Sequence, residues 1–208
     1  MFGSNLRNAV TKYLSVAAFQ DKWEEDQKIG RGYFYALTYP SILSFFKAHP
    51  PLSDALGLKV ALVFSWNPTI CRVTSIRFEQ AKRELAALEP ARKELNTKDI
   101  SNVDINEVIR KLWGPVKRAS SSTDSPSGVS VTKFLHFSFP HIFPMVDSNT
   151  MKNLGGTTVN REWYSFFLSE WKNLYEHSKA SFKQISNAVN MPVARVFDVM
   201  LFTPRQRG

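Results

Sequence analysis

GVSVTKFLHFSFPHIFPMVDSNT, residues 128–150, is the stretch on which the reading of this chain turns. A glycine opens an apolar helical pattern, a Pro-bounded link follows, and Asp147 stands at the mouth of the next helix. Pro126-Ser127-Gly128-Val129-Ser130 reads as a tight turn running directly into that first helix. Backbone N–H groups at such a turn, with the helix dipole behind them, favour a phosphate. Asp147 follows the apolar run Phe143-Pro144-Met145-Val146. Two readings of it stand side by side. Aspartate is a preferred N-cap, and an anionic carboxylate at the edge of an apolar pocket suits a developing oxocarbenium ion or an attacking water. Lys133 lies on the helix before the link and returns toward Asp147 if the two helices form a hairpin. There it is a phosphate contact, a solvated surface residue, or an amine able to attack an anomeric carbon. His136 and His141 lack the spacing of a metal site and read as hydrogen-bonded structural residues.

Outward from this segment the chain reads as helices. Ser4 caps a helix over Asn5–Gln27, and Gly30 and Gly32 break it. GRGYFYALTYP, residues 30–40, reads as a short strand or extended aromatic segment, with a helix from Ser41 to Ala48 after Pro40. Helices are expected from Ser53 to Phe64 and, after the turn at Ser65-Trp66-Asn67-Pro68, from Thr69 to Leu88. Residues 91–103 read as a polar connection with one helical turn. Asp104 caps a helix through Trp113 that Gly114 and Pro115 end. ASSSTDSPSG, residues 119–128, reads as an exposed loop and as the linker between lobes. Asn160 caps an aromatic helix over Arg161–Glu176, and helices over 181–189 and 192–202 close the chain. With a single strand-like stretch, the class is all-α.

Composition sets the frame for function. The 208 residues suffice for one core, or two small lobes sharing a cleft. No apolar run approaches the length of a membrane span, and no secretory core opens the chain. One cysteine, Cys71, excludes an internal disulfide and a cysteine-based zinc site. The expectation is a soluble, intracellular protein, cytoplasmic or, in a bacterium, nucleoid-associated. Twenty-seven basic against eighteen acidic residues give a net charge of +9. Spread along the chain, that surplus suits a polyanion, most simply nucleic acid, or belongs to a merely basic protein.

GVSVTK followed by FPMVDSNT resembles the helix-hairpin-helix DNA glycosylases, the superfamily that includes adenine- and 8-oxoguanine-excising enzymes. The segment Phe143–Asn149 is similar to the aspartate segment of the adenine-excising branch. The resemblance implies a two-lobed helical fold, residues 1–118 and 119–208 within one compact unit, with a central hairpin and a cleft between lobes. It implies double-stranded DNA as partner, a monomer, and no cofactor. By this resemblance Asp147 is the essential carboxylate. Phosphate contacts fall to Gly128, Val129, Ser130 and Thr132 in the hairpin, Lys117 and Arg118 before it, and Asn149 and Lys152 after Asp147. Trp66, Asn67, Tyr33, Tyr35 and His136 are the candidates for a pocket holding a flipped base. There are departures. Ser130 stands where the hairpin's second glycine is usual, and the position of the bifunctional members' lysine falls on Thr132, beside Lys133. One cysteine cannot supply an iron–sulfur cluster. The competing readings are a non-catalytic helical DNA-binding module and a helical interaction protein whose charge is incidental.

Overall fold

The apolar residues recurring every three or four positions close into helices throughout. The computed structural model describes residues 2–28, 32–66, 75–120 and 128–202. In chain order the helices are α1 Phe2–Thr11, α2 Val16–Lys28, α3 Gly32–Ala48, α4 Leu56–Ser65, α5 Ser75–Ala87 and α6 Glu89–Asn96. A 3-10 turn at Ile100–Asn102 precedes α7 Ile105–Ser120, α8 Val129–Ser138, α9 Ser148–Asn153, α10 Arg161–Val189 and α11 Val193–Leu201. Among the described residues there is no strand, and no helix is long and apolar enough to cross a membrane.

Several helix starts follow the capping signals. Asp104 accepts the Glu107 N–H at 3.0 Å, and Asn160 accepts the Trp163 N–H at 2.8 Å. Other boundaries differ from expectation, each for a local reason. The first helix is two, because the Ser15 hydroxyl accepts the Ala18 N–H and starts α2 afresh. The aromatic segment after Gly32 is helical, not extended, and α3 runs through Pro40. Pro40 lies on the exposed side, while Tyr39, Ile42, Leu43 and Phe46 form the buried stripe. α7 likewise continues through Gly114 and Pro115. The carbonyl that Pro115 leaves without a donor belongs to Lys111, an exposed residue, where the loss costs little. The expected polar connection carries a full helix, α6, with Pro90 in its first turn. The last long helix is continuous to Val189 but kinked at Ser178, close to the break expected between two helices. Residues 69–74 of the helix expected over 69–88 lie outside the described residues.

α8 is the axis of the packing. Every residue from Val129 to Phe137 is buried, as a helix enclosed by others requires. α3, α4 and α7 pack around it, and α7 also packs on α5 and α10. One continuous apolar core joins residues from Leu6 to Leu201. Burying each of Phe134, Leu135 and Phe137 contributes about 1.5–3 kcal/mol.

The polar residues of α8 are turned inward too, and His136 shows how they are satisfied. Its Nδ1–H donates to the Phe143 carbonyl at 2.7 Å, so Nε2 accepts the Tyr39 hydroxyl at 2.8 Å. Burial, assisted by the nearby Arg195 charge, pushes the imidazole down to about 3. Unfolding restores an ordinary histidine near 6.5, so below that pH the unfolded chain binds a proton the native state refuses. Stability from this group is therefore complete above pH 6.5 and is lost as pH falls toward 3. In an Asp198→Asn background, which removes the one carboxyl that burial holds near 7 and that would gain stability over the same window, urea unfolding between pH 6.5 and 5 is expected to show a loss of about 2 kcal/mol. A flat profile across that window would mean that the buried ring takes up a proton without cost.

Candidate active site

The link from Phe139 to Asp147 has no regular structure, so its backbone groups need other partners. They find them in side chains from three helices, α8, α10 and α11. Trp171 Nε1 donates to the Ile142 carbonyl at 3.2 Å, His136 to Phe143, and the Tyr164 hydroxyl to Pro144 at 2.8 Å. The Thr132 hydroxyl oxygen accepts the Val146 N–H at 3.1 Å and lies 2.9 Å from the Val129 carbonyl. Asp198 Oδ2 takes a long contact of 3.4 Å from the Met145 N–H. Each anchor is buried, so the segment delivering Asp147 is held as firmly as a strand in a sheet.

Asp147 is the N-cap of α9, its Oδ1 accepting the Thr150 N–H at 2.7 Å. The cap reading is thus correct as far as it goes. The residue is half-buried, and it lines a cavity of about 80 Å3. At roughly 10–15 Å3 per water, that volume takes about five to eight water-sized groups, enough for the leading six-membered ring of a planar base. Lys133 from α8 reaches the same cavity, its Nζ donating to the Trp66 carbonyl at 2.6 Å. Trp66 and Tyr35 form an aromatic wall, with ring centroids 4.8 Å apart, and Trp66 Nε1 is held by the Thr38 hydroxyl at 2.8 Å. Four of the residues singled out from sequence therefore share one cavity: Asp147, Lys133, Trp66 and Tyr35.

The others are placed differently. His136 does not line the cavity; its ring is consumed by Tyr39 and Phe143. Asn67 and the Tyr33 side chain lie outside the described residues. The phosphate grip expected at the hairpin needs correcting. Gly128, Val129, Ser130 and Thr132 are buried, and the Gly128 N–H already donates to the Val159 carbonyl at 2.5 Å. A Cβ on Gly128 would sit 2.4 Å from the Trp113 ring and 2.9 Å from the Val159 oxygen. The glycine is there for close packing. Arg118 is half-buried and paired with Glu84, at 3.1 Å from Nε. Lys117 and Asn149 are half-buried, and Lys152 is exposed on α9.

Sequence reading missed Arg195 and Asp198, one turn apart on α11, which line the same cavity. Arg195 Nη1 donates to Asp198 Oδ1 at 2.8 Å, and both residues are buried. The guanidinium lies 4.8 Å from the Tyr39 ring and 5.6 Å from that of Trp66. Burial pushes the Asp198 carboxyl up to about 7, against the pull of Arg195 and with the Asp147 charge adding to the rise. Asp26 lines the same cavity and accepts Lys22 Nζ at 2.8 Å, and burial raises its carboxyl as well, against the pull of Lys22 and Arg195. The signal was an opposite-charge pair at i, i+3 inside the apolar pattern VARVFDVML, residues 193–201. Among the described residues, no group of three or more His, Cys, Asp and Glu side chains is placed to hold a metal ion.

The chain matches no family model, no curated protein and no solved structure.

Proposed function

We propose that the chain is a DNA glycosylase that rotates a damaged or modified base out of the duplex and cleaves its N-glycosidic bond. The observation that carries this reading is Asp147, an anchored half-buried carboxylate at the rim of an aromatic-walled cavity sized for the leading ring of a planar base. The net charge of +9 supports a polyanionic substrate, and double-stranded DNA is the partner in this reading. In it α8 is the inner helix of a hairpin arrangement, and the two halves of the chain flank the cleft that receives the flipped nucleotide.

The chemistry follows from where charge develops. As the bond from C1′ to the base breaks, its electron pair leaves with the base and the sugar becomes an oxocarbenium-like cation. Asp147 faces that cation, and no solvent has to reorganise because the carboxylate is already fixed by the Thr150 N–H. A water then adds to C1′ and its proton passes to the departed base, leaving an abasic site and the free base.

The test is strand scission after alkali on duplexes carrying candidate bases, including bulky modified cytosines. Cleavage at one base is the expected result. Steeply salt-dependent duplex binding with no cleavage of any base would replace the enzyme with a non-catalytic binding module.

Lys133 is read as part of the pocket wall. Its amine is engaged by the Trp66 carbonyl and is not offered as a nucleophile. Borohydride treatment during turnover is therefore expected to trap no covalent protein–DNA adduct. An adduct lost in Lys133→Gln would make the lysine the attacking group.

A further inference from the structure

We propose that Arg195 and Asp198 read the flipped base, selecting those with a carbonyl oxygen next to a ring N–H. This rests on the base-flipping reading of the same cavity and adds the class of base that it takes.

A buried ion pair is seldom favoured by stability alone, since two packed apolar residues serve as well or better. This pair lies at the wall of a cavity and not in the sealed core, with 8% of Arg195 and 5% of Asp198 exposed. It is also incompletely satisfied. One guanidinium N–H meets Asp198 Oδ1 at 2.8 Å, while the Nε–H is buried with no acceptor among the described residues. Asp198 Oδ2 has only the long 3.4 Å contact from the Met145 N–H. A cationic donor and a carboxylate acceptor thus stand side by side, each with capacity left for a ligand.

The complement of that arrangement is an edge presenting an acceptor beside a donor. Hypoxanthine, guanine and uracil have such an edge, with C=O meeting the guanidinium and N–H meeting the carboxylate. Adenine and cytosine present the reverse: an amino group against the guanidinium and a ring-nitrogen lone pair against the carboxylate. Both contacts then fail together. A site built around paired hydrogen bonds rejects such an analogue strongly, because its own buried groups are left unpaired. Trp66 lies against the guanidinium, and the half-buried Tyr35 ring beside it gives a planar base an aromatic surface to stack on.

The experiment measures binding separately from cleavage. Duplexes carry one 2′-fluoro nucleotide, whose fluorine disfavours the sugar cation and preserves the glycosidic bond. That nucleotide stands opposite an abasic spacer, so base-pair strength does not vary. At pH 8.5, where Asp198 is ionised, wild-type protein is expected to bind hypoxanthine over adenine, and uracil over cytosine, by about tenfold or more. Equal or reversed affinities within both pairs would overturn the assignment, and so would no preference for any base over the spacer. Asp198→Asn, checked for an unchanged melting temperature, is expected to lose most of the discrimination; undiminished discrimination would remove Asp198 from the reader. If the variant does not fold, the wild-type comparison stands without it. Cleavage of the unfluorinated duplexes is scored independently. Selective binding without cleavage supports the reader and counts against the glycosylase reading, whereas cleavage without selectivity does the reverse.

Discussion

Asp147→Asn is expected to leave a folded, DNA-binding protein whose base-release step is slower by about a thousandfold. The two halves of that expectation have separate causes. Asparagine caps a helix as well as aspartate, and its Oδ1 accepts the Thr150 N–H in the same place, so stability changes by less than about 1 kcal/mol. What disappears is the negative charge facing the sugar cation. At about 4 Å, and with an effective dielectric near 20, that attraction is roughly 4 kcal/mol, or about three powers of ten in rate. Single-turnover kinetics read the rate, and thermal melting reads the fold. Asp147→Ala serves as the contrast, since it loses the charge and the cap together and melts lower by the equivalent of about 1 kcal/mol. A rate for Asp147→Asn within tenfold of wild type would return the residue to a plain N-cap.

That one side chain can be both cap and catalyst shows where sequence reading succeeds. The apolar run before Asp147 and the capping position are local, and local signals survive without neighbours. The same holds for Asp104 and Asn160, whose caps form as their spacing requires. Trp66 and Tyr35 were legible because they sit near breaks between helices, where side chains face openings. Proline misled twice, at Pro40 and Pro115, because a helix tolerates it wherever the orphaned carbonyl faces water, and exposure is not a local property. α8 misled more deeply. Its Ser130 and Thr132 read as phosphate contacts and its Lys133 as a phosphate contact, surface residue or nucleophile, yet these three and His136 are all buried. The partners of Thr132, Lys133 and His136 are 14, 67 and 97 residues away, at Val146, Trp66 and Tyr39. Gly128 is ambiguous for the same reason. A glycine that opens a turn and one that lets a tryptophan ring approach look alike until Trp113 is in place. Arg195 and Asp198 carried a signal, two opposite charges in an apolar helix, but its meaning depended on which cavity that helix borders.

Trp171→Ala is expected to be the most damaging single core substitution, and its damage should reach the cavity. The indole stacks on Phe197 at 4.2 Å and 24°, meets Phe182 edge-on at 5.0 Å, and donates Nε1–H to the Ile142 carbonyl at 3.2 Å. Removing it costs about 3–5 kcal/mol in lost burial and residual cavity. For a chain of this length that lowers the melting temperature by roughly 6–20 °C. Phe197 lies on α11 between Arg195 and Asp198, and Ile142 lies in the link that ends at Asp147. The same ring thus supports Asp147 and Asp198, two of the three carboxylates lining the cavity. Trp171→Phe separates the two effects. It keeps a stacked ring but leaves the buried Ile142 carbonyl without its donor, at about 1–3 kcal/mol. Melting is expected to fall in the order wild type, Phe, Ala, with base release slowed in the Ala variant well below its own unfolding temperature. Full activity in an Ala variant that is folded but strongly destabilised would show that the link and α11 hold their places without the ring. Asp147 would then owe its position to the other anchors of the link, namely Thr132, Tyr164 and His136.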